Sequence, residues 1–188
     1  MSNCSETYDS DLLVAASQGE RAAGAVLVQR HHASMRRYAQ SIVGHDADDV
    51  VQQAWVDAIR GGHTYSGRSA VRSWLLTLTR HAALRSKRLR AGQPRVHVPL
   101  DAIAVAAGWG SDPESSVATR LDAARLTRAL ATLHPEAREV LTLRDLEGMS
   151  GPEVALMLEV TLPAMKSRLH RARLELAAAV RKEFGHGA

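Results

Sequence analysis

Cysteine is nearly absent from this chain of 188 residues: Cys4 stands alone, so no internal disulfide can form. No Cys/Cys or Cys/His pair has the spacing of a zinc site. Aromatic residues make up only 4%, with a single phenylalanine, so a core has to be built from Leu, Val, Ala and Met. No apolar run approaches the roughly 18 residues that span a bilayer. The start of the chain, over 1–11, is acidic and polar and does not read as a secretory signal. These absences point to a reduced, soluble, cytoplasmic protein. The formal sequon Asn3-Cys4-Ser5 has no meaning in that compartment, and Cys4 has neither a basic neighbour nor a resolving thiol to make it a redox sensor. The nine histidines are scattered, with only His31 and His32 adjacent, and no metal or cofactor is expected.

Acidic residues are missing locally, and that gap is informative. Over 61–98 there are eight basic residues (Arg68, Arg72, Arg80, Arg85, Lys87, Arg88, Arg90, Arg95) and no acid. Over 166–188 six bases stand against two acids, while the rest of the chain is net acidic and the total is only +4. Two separated basic blocks are the footprint of two polyanion contacts. The plainer alternative is a pair of solvated helix faces.

Every periodic segment is helical, and no strand alternation competes. Leu12, Leu13 and Ala16 open a short helix, with Ala23, Val26 and Leu27 following a break at Gly19. Met35, Tyr38, Ala39 and Ile42 continue at helical spacing. Asp46 reads as the N-cap of a helix that buries Val50, Val51, Ala54, Trp55, Ala58 and Ile59 and ends at Gly61-Gly62. A loop over 63–70 leads to a helix over 71–90 whose apolar stripe is Trp74, Leu75, Leu78 and Ala82. From 92 to about 116, glycine, proline and serine break any long helix. This reads as a linker with a weak helical turn over 101–107 and an odd Trp109. Helices over 121–133 and 135–146 follow, separated at His134-Pro135.

The stretch 148–176 carries the strongest signal. Ser150 and Glu153 form a capping box opening a short helix, and after a turn over 159–162 Pro163 sits at the start of the last helix. Met165, Leu169, Ala172 and Leu176 share one face of it, leaving Lys166, Arg168 and Arg171 outward. That is the pattern of a helix-turn-helix, whose second helix lies in the major groove. Its outward cations can neutralise phosphates, and arginine can read guanine. A basic helical hairpin with no DNA role is the bland alternative.

At these residues the chain resembles a known family. The runs Leu146-Glu147-Gly148-Met149-Ser150, Glu153-Val154-Ala155 and Lys166-Ser167-Arg168-Leu169-His170-Arg171-Ala172-Arg173 resemble domain four of extracytoplasmic-function (ECF) sigma factors of the sigma-70 family. Upstream, Asp46-Ala47-Asp48-Asp49-Val50-Val51-Gln52-Gln53-Ala54 resembles the core-binding helix of domain two. Arg72-Ser73-Trp74-Leu75-Leu76 with Thr79-Arg80-His81 resembles the promoter-melting segment. The match runs over about 10–183. It departs from the family pattern at Glu159 (usually glycine), Pro163 (commonly small), His81 (usually asparagine) and Gln53 (usually glutamate).

The resemblance implies an all-α chain of two small helical domains joined by a flexible linker. Its parts are a disordered N-terminus over 1–9, domain two over 10–91, the linker over 92–119, domain four over 120–183 and a tail over 184–188. It implies a bacterial RNA polymerase specificity subunit that binds core polymerase (clamp and flap) and promoter DNA under the control of an anti-sigma factor, without catalysis or direct membrane association. The polymerase-binding residues would be Asp48, Asp49, Gln52 and Gln53. Of these, Asp48, Asp49 and Gln52 lie opposite the apolar face of their helix, free to meet a basic partner. DNA contacts would come from Tyr65, Arg68, Arg72, Arg80, His81, Arg85, Lys87 and Arg88 in domain two. Domain four would add Lys166, Ser167, Arg168, His170, Arg171 and Arg173. Tyr65 could stack on an extruded base, whereas Trp74 reads as core. The competing class is a stand-alone helix-turn-helix regulator. A nucleic-acid-processing enzyme finds no support, because phosphate-binding loops, nucleophile elbows and metalloprotease motifs are all missing.

The linker has a mechanical consequence. Residues 92–116 relaxed would span only roughly 25–30 Å, against about 80 Å extended and about 70 Å for two helical turns between promoter elements. The isolated protein is therefore expected to bind promoter DNA weakly and to bind tightly once polymerase fixes the span. A gel shift showing tight, sequence-specific binding by the protein alone would contradict this.

Overall fold

Residues 4–91 and 117–185 are described by a computed structural model of the chain, with side chains over 8–91 and 125–183. The expected linker, its weak turn and Trp109 lie outside the described residues, as does the side chain of Cys4. Among the described residues there is no strand. The chain divides into two compact units, one holding 1–39 and 46–92 and the other 40–45 and 93–188.

The first unit is built from α1 (Cys4–Ser17), α2 (Arg21–Val43) as far as residue 39, α3 (Ala47–Gly61) and α4 (Val71–Arg90). Short 3₁₀ turns at Gly44–Asp46 and Gly62–Thr64 flank α3. α1 closes where expected: Gly19 takes φ +100°, and the Glu20 amide reaches back to the Ala15 carbonyl at 3.0 Å. α3 packs on α4, and α1 lies across both. The seam is made of small and branched side chains (Val50, Val51, Ala54, Ala58, Leu75, Leu76, Ala83), all buried. Gly62 marks the tightest approach, since a Cβ there would sit 2.9 Å from Ser17 Cβ and 3.2 Å from the Leu13 carbonyl oxygen.

Four sequence expectations need correction here. The N-terminus expected to be disordered over 1–9 is helical from Cys4, because Asp9 is buried between two donors on α2. Its carboxylate accepts from Arg30 and pairs with His31 Nε2 at 2.8 Å, while the Arg30 guanidinium lies 4.8 Å over the Tyr8 ring. Asp46 makes no side-chain cap to α3 and instead pairs with Arg90 at the far end of α4. In α3, Trp55 and Ile59 are half-buried rather than core, and Trp55 Nε1 donates to His32 Nδ1 at 3.3 Å. The buried stripe of α4 is Val71, Leu75, Leu76, Thr79, Ala82 and Ala83, which leaves Trp74 and Leu78 half-buried on its shoulder. Thr79 can sit in that stripe because its hydroxyl donates to the Leu75 carbonyl at 2.8 Å.

The second unit contains α5 (Val117–Thr132), α6 (Pro135–Leu141) continued by a π-helical turn (Thr142–Leu146), α7 (Gly151–Met157) and α8 (Leu162–Gly185). α5 thus starts within the segment assigned to the linker, and α8 runs on to Gly185 in the expected tail, with Glu183 just before it pairing with Arg128 of α5 at 3.1 Å. α8 packs on α5, α6 and α7. The α7 capping box is formed in both directions, Ser150 Oγ accepting from the Glu153 amide and Glu153 from the Ser150 amide. The turn into α8 is a Schellman closure: the Val160 amide donates to the Ala155 carbonyl and the Glu159 amide to that of Leu156. Glu159 holds the left-handed position, φ +57°, that glycine usually fills.

Arg138 ties α6 to the end of α5. Its half-buried guanidinium donates to the carbonyls of Leu130 (3.1 Å), Ala131 (2.8 Å) and Leu133 (3.1 Å), satisfying acceptors that a helix C-terminus leaves orphaned. Burial pushes its pKa down from the ordinary arginine value, though arginine remains charged at neutral pH. Arg138→Ala is expected to destabilise this unit by about 2 kcal/mol, since three charge-assisted bonds are lost and the carbonyls stay partly covered. Amide exchange over 125–141 should speed up accordingly. Unchanged protection there would show the cap to be dispensable.

Candidate nucleic-acid interface

The face that α8 presents is decided by what it buries. Met165, Leu169 and Ala172 are buried against the rest of the unit. At 3.6 residues per turn, Pro163, Ser167, His170, Arg171 and Leu174 then fall on the opposite side and Lys166 on one flank, and of these Lys166, His170, Arg171 and Leu174 carry a long or ring side chain into solvent. Thr161 starts the helix, its hydroxyl accepting from the Ala164 amide at 3.3 Å. Lys166 and Arg171 form no ion pair among the described residues, and Arg171 Nε reaches only the Ser167 carbonyl of its own helix at 3.4 Å.

The other two predicted arginines differ. Arg168 and Arg173 lie on the two flanks between the buried and outward faces. Arg168 Nη2 pairs with Glu136 at 3.2 Å. Arg173 makes a two-pronged bond to Asp145, Nη2–Oδ1 at 2.6 Å and Nε–Oδ2 at 3.0 Å, and this acid raises its pKa. The structure therefore leaves Lys166, Ser167, His170 and Arg171 exposed, while Arg168 and Arg173 are each tied to an acid of their own unit. Nothing in the sequence spacing announces these partners, because Glu136 and Asp145 come from a preceding helix and turn.

In the first unit the basic residues again split. His81, Lys87 and Arg88 of α4 and Arg68 of the preceding loop are exposed. Arg72 and Arg80 are half-buried. Arg85 Nη2 pairs with Asp57 Oδ2 of α3 at 3.0 Å. The loop before α4 is shaped by Gly67 at φ +70° and by the Tyr65 hydroxyl donating to the Ser69 carbonyl. The Tyr65 ring is half-buried and tilted 57° against Trp74, centroids 5.4 Å apart. Trp74, assigned to the core by the sequence reading, shares the solvent-facing shoulder of α4 with Arg85 and His81.

On α3, Asp48, Asp49, Gln52 and Gln53 are all exposed, on the face away from Val50, Val51 and Ala54. Gln53 donates to Asp57 Oδ1 at 2.9 Å, so the two oxygens of one carboxylate link this face to Arg85 on α4. Arg36 of α2 donates to Asp48 at 2.7 Å and holds its carboxyl below the usual carboxylate range. Among the described residues no cluster of His, Cys, Asp and Glu could hold a metal ion, and no helix is long and apolar enough to cross a membrane.

Comparison with known proteins gives a consistent result. The family described as Sigma-70 region 2 matches residues 27–92, and Sigma-70, region 4 matches 123–176. The chain is 34% identical to the ECF RNA polymerase sigma factor SigM of Mycobacterium tuberculosis (strain H37Rv), over 92% of this chain and 84% of that one. It is 32% identical to the RNA polymerase sigma factor CnrH of Cupriavidus metallidurans, over 92% and 94%. Among solved structures, CnrH in complex with the cytosolic domain of CnrY is similar at TM-score 0.65 and 28% identity, covering 93% of this chain and 98% of that one. The sigma factor RpoE of Bartonella quintana, solved with the anti-sigma factor NepR, shares the fold at TM-score 0.61 and 21% identity, over 78% and 89%.

The Asp48–Arg36 pair has a testable pH signature. A depressed carboxyl contributes its stabilisation at neutral pH and loses it as pH falls below about 4. Asp48 is largely exposed, so the effect on folding is small. An NMR titration should place the Asp48 carboxyl below its ordinary value of 3.8, and Arg36→Ala should return it there. A titration point that Arg36→Ala leaves unmoved would show that the pair does not form in solution.

Proposed function

The chain belongs to the ECF RNA polymerase sigma factors of the sigma-70 family, and on that premise we propose how its two units divide the work of promoter recognition. The second unit grips duplex DNA at the upstream promoter element, with the outward stripe of α8 in the major groove. Lys166 and Arg171 bear on phosphates and guanine edges, and Ser167 and His170 hydrogen-bond to bases. Arg168 and Arg173 lie on the helix flanks, each turned toward an acid of its own unit. The observation that carries this reading is the phase of α8: three buried apolar residues on one side, and away from them an exposed face on which Lys166 and Arg171 form no ion pair among the described residues.

The first unit engages core polymerase through Asp48, Asp49, Gln52 and Gln53 on α3, an acidic and amide-rich face suited to a basic partner helix. Its loop 65–70 and α4 hold the melted downstream element, with Arg68, Arg72, Arg80, His81, Lys87 and Arg88 along the phosphates, Arg85 held back by Asp57, and Tyr65 beside the extruded bases. Trp74 joins them, its ring already paired with Tyr65 at a spacing that a base could extend. RNA synthesis itself belongs to the polymerase core, so we assign this chain no catalytic residue and place it in the cytoplasm with that enzyme. The likeness to CnrH, whose structure was solved with CnrY, supports control by an anti-sigma partner that covers the polymerase-binding faces. A stand-alone regulator would leave the acid-free stretch over 61–98 without a purpose.

Added to core polymerase, the protein should direct transcription from a defined set of start sites. Lys166→Ala and Arg171→Ala should each lower promoter affinity about tenfold or more. Asp49→Ala with Gln52→Ala should weaken binding to core while leaving duplex recognition by the second unit intact. Failure of the wild-type chain to bind core or to create new start sites would refute the assignment.

A further inference from the structure

Both flanks of α8 carry an arginine that faces an acid of its own unit. A helix seated in the major groove has a phosphate backbone on either side, so the flanks are where arginine would add most to affinity for any sequence. Arg168 is turned toward Glu136 of α6, at 3.2 Å. Arg173 is turned toward Asp145 of the π-helical turn and held by two bonds, 2.6 and 3.0 Å, which use the fork of the guanidinium that a phosphate would also need. The two other cations of the exposed face, Arg171 and Lys166 (the latter on the same flank as Arg173), form no ion pair among the described residues. In the first unit Arg85 is likewise tied to Asp57 and Arg90 to Asp46.

We propose that Asp145 and Glu136 are specificity-determining residues: they hold Arg173 and Arg168 off the phosphate backbone, so that binding by α8 rests on its base-facing stripe. This deepens the reading of α8 as a DNA-recognition helix and rests on it. Each withheld arginine removes one phosphate interaction that every DNA sequence would supply equally. Affinity for arbitrary duplex falls, and the ratio of specific to non-specific binding rises.

The test uses the full-length protein and two duplexes: one selected from a random library by the wild-type holoenzyme, and one scrambled in sequence. Binding is followed by anisotropy between about 50 and 200 mM salt. Asp145→Asn is expected to steepen the slope of log affinity against log salt by about 0.9, the increment for one further phosphate neutralised. It should also raise affinity for the scrambled duplex by up to about fivefold, the scale of a surface ion pair. Glu136→Gln should act in the same direction. Adding Arg173→Gln to Asp145→Asn should restore the wild-type slope, which separates release of the arginine from loss of a negative charge. A slope that does not steepen in Asp145→Asn, or a steepening that survives Arg173→Gln, overturns the proposal. Lys166→Ala serves as the separate check on the underlying reading. If it leaves the slope unchanged, α8 is not the DNA helix. If it flattens the slope while Asp145→Asn does nothing, only the role of the acids fails.

Discussion

Three side chains decide what the second unit can offer a partner. Met165, Leu169 and Ala172, buried at 1%, 8% and 0% exposure, lock the rotation of α8 about its own axis. Burying a Met or Leu contributes about 1.5–3 kcal/mol each. Turning the helix by one residue would expose this side and bury Lys166 or Arg171 without partners, a cost several times larger. The approach is close: a Cβ on Gly151 would lie 3.1 Å from Met165 Cε. Packing of apolar side chains, not the charges themselves, therefore aims the charges.

Electrostatics works inside that frame by subtraction. The chain is rich in arginine, yet much of it is spoken for. Arg138 caps a helix end, Arg36 holds Asp48, Arg90 meets Asp46, and Arg85, Arg168 and Arg173 each face an acid of their own unit. Surface pairs of this kind add little to stability. On α8 such pairing occupies Arg168 and Arg173 and leaves Lys166 and Arg171 without an ion pair among the described residues. A basic count alone overstates the contact surface.

The second unit is the more legible from sequence, and for a physical reason. The Ser150–Glu153 box, the helix boundaries around Gly148 and Pro163, and the Met165–Leu169–Ala172 face all depend on neighbours within four residues, which spacing reveals directly. What escapes depends on distant partners. Asp46 looks like an N-cap until Arg90 is brought beside it, and residues 4–9 look disordered until Arg30 and His31 bury Asp9. Trp74 looks like core because the apolar stripe of α4 cannot be phased without knowing that Thr79 satisfies its own hydroxyl. The pairing of Arg168 and Arg173 belongs to the same class, and Glu159 shows that a turn can keep its Schellman geometry without the expected glycine.

The central claim is that two separately folded basic helices meet two separate stretches of one promoter while polymerase holds them apart. Site-specific photocrosslinking in the assembled holoenzyme tests it most directly, with probes placed at position 170 on α8 and position 81 on α4. The expected result is two crosslink sites roughly two helical turns, about 20 base pairs, apart, the α8 probe on duplex and the α4 probe on a strand reactive to single-strand reagents. Crosslinks from both probes to one segment, or a position-81 crosslink only to closed duplex, would contradict it.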